Sequence, residues 1–202
     1  KDLSISKSTA YGILQSFQEE GLVSKDSVTK KYTIGKEMMR LSKMVFKGQD
    51  IATITRPFLE RLAELVNESV FLGVKELDTV KIVDVAEAKK DFKISSPIGT
   101  KLPITAGAIG KIFLSAMNNE EVVEFLKDKG LPEYTENSIT DIDLFMKEIE
   151  KTRDVGYSLD VGEYLKGIRA AASLIYQDSS PVAAIWFVGF SNSMVNEKLE
   201  YI

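Results

Sequence analysis

Hydrophobic positions recur along this chain in two rhythms, one helical and one alternating. From Lys7 to Glu20, Ala10, Ile13, Leu14 and Phe17 return at helical spacing, while Ser8, Tyr11, Gly12 and Gln15 fall on the other side. The stretch "SISKSTAYGILQSFQEEGLV" therefore predicts a helix with an apolar, core-facing stripe and a polar one, capped by Ser6 and stopped by Gly21. The polar stripe collects short hydroxyls, an aromatic ring and an amide, groups that hydrogen-bond to phosphates and base edges in a major groove. "LVSKDSVTKKYTIG" then predicts two short strands, Leu22 to Ser24 and Lys31 to Ile34, around a polar turn from Lys25 to Lys30. Helix, glycine stop and basic hairpin in this order form half of a winged helix-turn-helix, with Lys30 and Lys31, and Lys25 as a further candidate, against phosphates. An ordinary amphipathic helix followed by a solvated hairpin fits the same pattern.

"KEMMRLSKMVFKG" predicts a short basic amphipathic helix with Met38, Leu41, Met44 and Val45 on one face and Lys36, Arg40, Lys43 and Lys47 elsewhere. Such a helix lies on a membrane or, more commonly, connects domains. Gly48 is expected to end it, which divides the chain into residues 1–35, a linker at 36–49 and a body at 50–202. In the body, "IATITRPFLERLAELVN" predicts a helix with Pro57 near its first turn and Phe58, Leu62, Leu65 and Val66 apolar. "SVFLGVKEL" and "TVKIVDVAEA" read as a hairpin turning at Asp78-Thr79, and "DFKISSPIG" as another alternating strand with Phe92 and Ile94 on one side. Two capped helices follow, from Asn118 or Asn119 to Gly130 and from Thr140 or Asp141 to Gly156. "GIRAAASLIYQ" and "PVAAIWFVGF" close the pattern as strands flanking Asp178-Ser179-Ser180-Pro181. The expected fold class is α+β, with a mostly antiparallel sheet and helices grouped around it.

Composition narrows the chemistry. The 202 residues contain neither cysteine nor histidine, which excludes thiolate nucleophiles, Ser/His/Asp triads and nearly every transition-metal site. No cofactor is expected. No apolar run is long enough for a membrane span, and a cytoplasmic protein is the expectation. The net charge of −4 divides unevenly: residues 1–47 carry +4 and the remainder −8. A basic end on an acidic body fits a nucleic-acid-binding appendage.

Two stretches of the body can carry binding chemistry. In "GTKLPITAGAIGKIFL", Thr105 is expected to cap a helix beginning at Ala106, Gly107, Ala108 and Ile109. These small residues either bare a helix N-terminus to a small carboxylate or other polar ligand, or let the helix pack closely on the sheet. In "GYSLDVGEYLKGIRAAA", a polar loop is expected to carry Asp160 and Glu163 into an apolar strand. The two acids are candidates for acid/base work or are plain loop acids.

Taken in order, "KSTAYGILQSFQEEGLV", "KKYTIG", "ITRPFLERLAELVNESVFLGV", "GTKLPITAGAIGKIFL" and "RDVGYSLDVGEYLKGIRAAA" followed by "PVAAIWFVGF" resemble the isocitrate-lyase-regulator (IclR) family of transcription factors. The resemblance runs from about Leu3 to Tyr201. It implies a partial winged helix-turn-helix, a linker helix and a GAF-like effector-binding domain, in a homodimeric or homotetrameric DNA-binding regulator, most simply a repressor and not an enzyme. It implies that Ser6, Lys7, Ser8, Thr9, Tyr11, Gln15, Lys30, Lys31 and Tyr32 meet operator DNA. The effector, a small organic acid or a more apolar, aromatic metabolite, would meet Phe92, Ile94, Ala106, Gly107, Ala108, Ile109, Asp160, Ile168, Ala170, Ala172, Trp186 and Val188. Ala170 stands where many members carry cysteine, Trp186 and Val188 where small hydroxyl residues are common, and Ile104-Thr105 where a histidine is usual. Gly12 replaces a large basic residue. Against the family pattern both ends are short: two helices precede the recognition helix in relatives, and the final helix is expected to break off after "NEKLEYI". The alternatives are a stand-alone sensor or enzyme on a GAF-like fold, and a regulator without ligand response.

Overall fold

The computed structural model describes residues 5–27 and 29–194, and of residues 42–50 the backbone alone. Val28 and the closing segment at 195–202, including the expected last helix, lie outside the described residues, as do the side chains of Lys43, Met44, Val45 and Lys47. The chain forms two compact units, Lys1–Asp50 and Ile51–Ile202.

In the first unit α1 (Lys7–Glu19) begins at Ser6, whose hydroxyl accepts the Thr9 N–H at 3.1 Å. Gly21, at φ 69°, turns the chain out of the helix. β1 (Val23–Lys25) and β2 (Tyr32–Ile34) pair antiparallel, with Val23 opposite Ile34 and Lys25 opposite Tyr32. Of the expected core stripe of α1, Ala10 and Leu14 are half-buried and Ile13 and Phe17 are exposed, with none fully buried.

A 31-residue helix, α2 (Lys36–Val66), follows. The linker and the next helix are thus one element, and Gly48 does not end it, because a single glycine costs a helix only about 1 kcal/mol relative to alanine. Pro57 lies inside α2, not in a first turn. Of the four apolar residues read in this segment, two face the core and two do not. Leu59, Ala63 and Val66 are buried and Leu62 half-buried, whereas Phe58 is 67% exposed and Leu65 is exposed.

The second unit is built on a six-stranded antiparallel sheet. Its strands are β3 (Ser69–Glu76), β4 (Thr79–Ala86), β5 (Lys101–Pro103), β6 (Tyr157–Val161), β7 (Ile168–Gln177) and β8 (Ser180–Phe190), in the spatial order β5-β4-β3-β8-β7-β6. β7 and β8 are joined through Asp178 and Ser179, both at positive φ, as a tight hairpin with the strands' twist requires. "DFKISSPIG" is not a strand. The edge of β4 that it would need is taken further along the chain, where the Ile82 N–H donates to the Thr100 carbonyl at 2.9 Å and Val80 pairs with Leu102 of β5.

Both faces of the sheet are covered, which explains why β3 is buried at six consecutive positions. Leu59, Ala63 and Val66 of α2 pack on Val70, Leu72, Val74, Ala171 and Phe187. On the other face lie α3 (Gly107–Ser115), α4 (Asn119–Lys129) and α5 (Ile142–Val155), packed on Phe71, Val80, Ile82, Ala170, Ala172 and Trp186. Asn118 and Glu121 form the capping box of α4, and Asp141 caps α5, which stops at the left-handed Gly156. Arg153 of α5 ties the preceding helices together, its guanidinium donating to the carbonyls of Ser115 at 2.8 Å and Met117 at 2.7 Å.

Leu59 is fully buried, so Leu59→Ala is expected to cost about 2–5 kcal/mol. Phe58→Ala should stay within about 0.5 kcal/mol. Urea unfolding of both variants checks the helix phase, and equal losses would contradict it.

Candidate functional site

Strand register gathers most of the residues that the sequence nominates. Asp160 lies opposite Ala170 and Ala170 opposite Val188, while in the next row Ser158 faces Ala172, Ala172 faces Trp186 and Trp186 faces Phe71. Side chains alternate along a strand, so both rows, and Ile168 by the same parity, share one sheet face. α3 covers that face, with Ala108 and Ile109 in one core cluster with Ala170, Ala172 and Trp186. The Ser158 hydroxyl fastens it by donating to the Ala108 carbonyl at 2.7 Å. Phe92 does not join this group. It is 83% exposed, on the irregular stretch that replaces the expected strand, where Ile94 is half-buried.

The N-terminus of α3 differs from expectation in two ways. Ala106, not Thr105, is the cap residue, and no side chain caps the helix; the Thr105 hydroxyl instead meets the Tyr134 hydroxyl at 3.1 Å. Second, the place of an incoming anion is held by the protein's own Asp160. A Cβ on Gly107, at φ 52°, would overlap Oδ2 of Asp160 and lie 3.1 Å from its Cγ, so this approach requires glycine. Asp160 is itself in a strand and not in a loop, since Ser158 and Asp160 alternate inward between the exposed Tyr157 and Val161.

Asp160 is 5% exposed and accepts the Glu163 N–H at 2.6 Å. Burial raises its pKa above the ordinary carboxylate range, against the opposing pull of the Glu163 N–H and the Lys111 charge. Lys111, from the middle of α3, is fully buried and donates to both Glu163 oxygens at 2.7 and 2.9 Å, with Glu148 at 4.0 Å. Burial likewise raises the Glu163 pKa, with Lys111 opposing. The two acids are thus committed to a backbone turn and a buried lysine, an arrangement that positions a loop.

A second loop locks onto this turn. Thr135 donates to the Gly162 carbonyl at 2.6 Å, Ser138 to the Glu163 carbonyl at 2.8 Å, and the rings of Tyr134 and Tyr164 meet edge to face at 4.9 Å. Lys111, Tyr134, Thr135 and Ser138 escape the sequence reading. The one local signal is Lys111, a lone cation in the apolar run "AIGKIFL".

Trp186 is 4% exposed, stacks on Phe71 at 5.4 Å between centroids, and lies over the backbone of Gly73, where a Cβ would stand 2.8 Å from its Cζ3. An open cleft of about 470 Å³ lies elsewhere, lined by Arg56, Glu60, Ala63, Glu64, Asn67, Ala86, Glu87 and Lys89. Its charges are all paired: Arg56 with Glu60 and with Asp84, Lys89 with Glu64, and Glu87 with Lys93. None of the nominated effector residues lines it.

In the first unit, Lys7, Ser8, Thr9, Tyr11 and Gln15 are all exposed on α1. The Ser6 hydroxyl also meets those of Ser8 and Thr9, each at 2.8 Å, and Gln15 donates to Glu19 at 3.1 Å. Lys30 and Lys31 are exposed on the hairpin and Tyr32 is half-buried.

Residues 43–202 match the family model described as the C-terminal domain of the bacterial transcriptional regulator IclR. The chain belongs to the IclR family. Similar members include the HTH-type transcriptional repressor AllR of Escherichia coli K12, 27% identical over 198 residues that span 98% of this chain and 73% of that one. AllR of Salmonella typhi is 27% identical over 97% of this chain and 72% of its own. The IclR structure from Thermotoga maritima superposes with a TM-score of 0.72 at 27% identity, covering 98% of this chain and 80% of that one. An IclR homolog from Microbacterium hydrocarbonoxydans, complexed with 4-hydroxybenzoate, shares the fold at TM-score 0.68 and 19% identity, covering 98% and 81%. Among the described residues of this IclR-family chain, no helix is long and apolar enough to cross a membrane.

Removing one partner of the buried Lys111–Glu163 pair strands the other. Lys111→Met or Glu163→Leu alone is expected to cost about 3–5 kcal/mol, whereas the double variant recovers most of the loss. Asp160 and Glu163 hold protons in the folded state at pH values where the unfolded chain has lost them. Stability therefore falls as pH rises from the ordinary carboxylate range through their raised folded pKa values. Lys111→Met should deepen that fall. Urea titrations across pH test both statements, and an additive double variant would refute the pairing.

Proposed function

We propose that this chain is a ligand-responsive repressor that binds duplex DNA through α1 and the β1–β2 hairpin, and that a small molecule held beside α3 sets its affinity. Family membership carries the reading. Support for the DNA face comes from the polar stripe of α1, which stays exposed with Lys30 and Lys31 on the hairpin. A homodimer or homotetramer in the cytoplasm accompanies this, since paired half-sites need paired recognition helices.

For the effector, Ala106, Gly107, Ala108, Ile109, Asp160, Ile168, Ala170, Ala172, Trp186 and Val188 are the proposed surroundings, with Ile94 at their margin. Asp160 already sets a carboxylate at the start of α3, and Trp186, Val188 and the two alanines offer apolar surface. Both features favour an apolar or aromatic metabolite over a small acid such as glyoxylate. Binding would shift the DNA-competent population by its differential affinity for two states, typically ~1–3 kcal/mol.

Gly12 tests the DNA face. A side chain there meets nothing within 4 Å, so Gly12→Arg adds a cation without a clash. It is expected to tighten DNA binding and steepen the salt slope by about 0.9 for one new phosphate contact. Lys30→Ala and Lys31→Ala should each do the reverse. Gel shifts across a salt series check this, and unchanged slopes in all three variants would remove this face from DNA.

A thermal-shift screen of small acids and aromatic metabolites tests the effector site. A ligand at ~100 times its Kd adds ~2.7 kcal/mol to stability, and the expected hits are aromatic. A flat response across the screen would leave the regulator without a ligand.

A further inference from the structure

We propose that Lys25 is a positioning residue of the DNA-facing surface, a cation held between two tyrosine rings that fixes Tyr11 of α1 against the hairpin, and not a phosphate contact. The proposal rests on the DNA-binding reading above. Lys25 stands directly opposite Tyr32 in the β1–β2 ladder, where side chains on one side of a two-stranded ribbon touch. Its Nζ lies 5.1 Å from the centroid of Tyr32 and 5.5 Å from that of Tyr11. Both distances fall within the ~6 Å over which a ring quadrupole attracts a cation.

The neighbouring lysines show the contrast. Lys30 and Lys31 are exposed on the hairpin and Lys25 is half-buried. Lys30 binds its own turn, donating to the Ser27 carbonyl at 2.7 Å. Lys25 instead bridges two elements, the hairpin through Tyr32 and α1 through Tyr11. Tyr11 is 57% exposed, so a ring fixed from one side by Lys25 still offers its remaining surface to a base edge. Fixing the ring beforehand removes part of the ordering cost that binding would otherwise carry.

The test uses the full chain, a duplex that the unsubstituted chain enriches from a random-sequence pool, and a random-sequence duplex for comparison. Lys25→Met is expected to weaken binding to the enriched duplex by up to roughly five- to thirty-fold, the scale of two exposed cation–π contacts. The random duplex should lose less and the salt slope should stay unchanged. Lys25→Arg, which keeps a cation over the rings, should restore binding. The ring resonances of Tyr11 and Tyr32 in the free protein should move in Lys25→Met and stay near their original positions in Lys25→Arg. A slope reduced by about 0.9, with equal losses on both duplexes, would make Lys25 a phosphate contact and overturn the proposal. So would unmoved tyrosine resonances, or an arginine variant as weak as the methionine one. A chain that enriches no duplex brings down the DNA reading and this proposal together, whereas a binding chain indifferent to Lys25→Met brings down the proposal alone.

Discussion

Lys111 places a positive charge in the middle of α3, the most apolar of the described helices, and the elements around α3 are arranged to neutralise it. An unpaired ammonium in such surroundings would cost several kcal/mol. Glu163 supplies both of its oxygens to that charge, so the turn that carries Glu163 must lie against α3. Asp160 then fixes the turn by accepting its backbone N–H, and Thr135 and Ser138 close over it through the carbonyls of Gly162 and Glu163. A single buried cation thus dictates where three separate stretches of chain meet. An apolar residue at 111 would leave that meeting place loosely specified, which is the use of a buried ion pair as a registry device.

The same meeting place is permitted by what is missing from neighbouring side chains. Gly107 has no Cβ to collide with Asp160, and Gly73 none to collide with the Trp186 indole. Ala170 and Ala172 keep the sheet surface low beneath α3. Volume withheld by these four residues is returned by one, since Trp186 stacks on Phe71 within the same core. The proposed effector surroundings therefore already hold the protein's own carboxylate, on Asp160, and its own aromatic ring, on Trp186.

Features stated by adjacent residues were legible in the sequence. Ser6, Asp141 and Gly156 act as cap or stop as local chemistry dictates, whereas Asp160, Ala170, Ala172, Trp186 and Val188 are named together only through the family resemblance, and it is strand register that sets them on one face. The phase of α2 was not legible, because the chain carries two apolar stripes at helical spacing. Ile54, Phe58 and Leu65 form one and Leu59, Ala63 and Val66 the other, and only the position of the sheet decides between them. "DFKISSPIG" alternates like a strand, yet the backbone groups it would pair with are taken by Thr100 and β5. The pairing of Lys111 with Glu163 spans 52 residues, and nothing in either segment announces the other. Thr105 is a good cap by type, but a hydroxyl partner on Tyr134 draws it away.

The two units solve opposite problems. The body buries its central ion pair, Lys111 with Glu163, so the geometry there is fixed by a long-range contact. The first unit buries none of the side chains of α1, and its order comes from neighbours: the Ser6 cap, Ser16 donating to the Gly12 carbonyl, Gln15 to Glu19, and the Leu22 N–H to the Phe17 carbonyl. Local bonds of this kind hold a helix without consuming its outer face. The polar stripe consequently remains unspent, which is the condition for a surface whose hydrogen-bonding groups are to be satisfied by a partner.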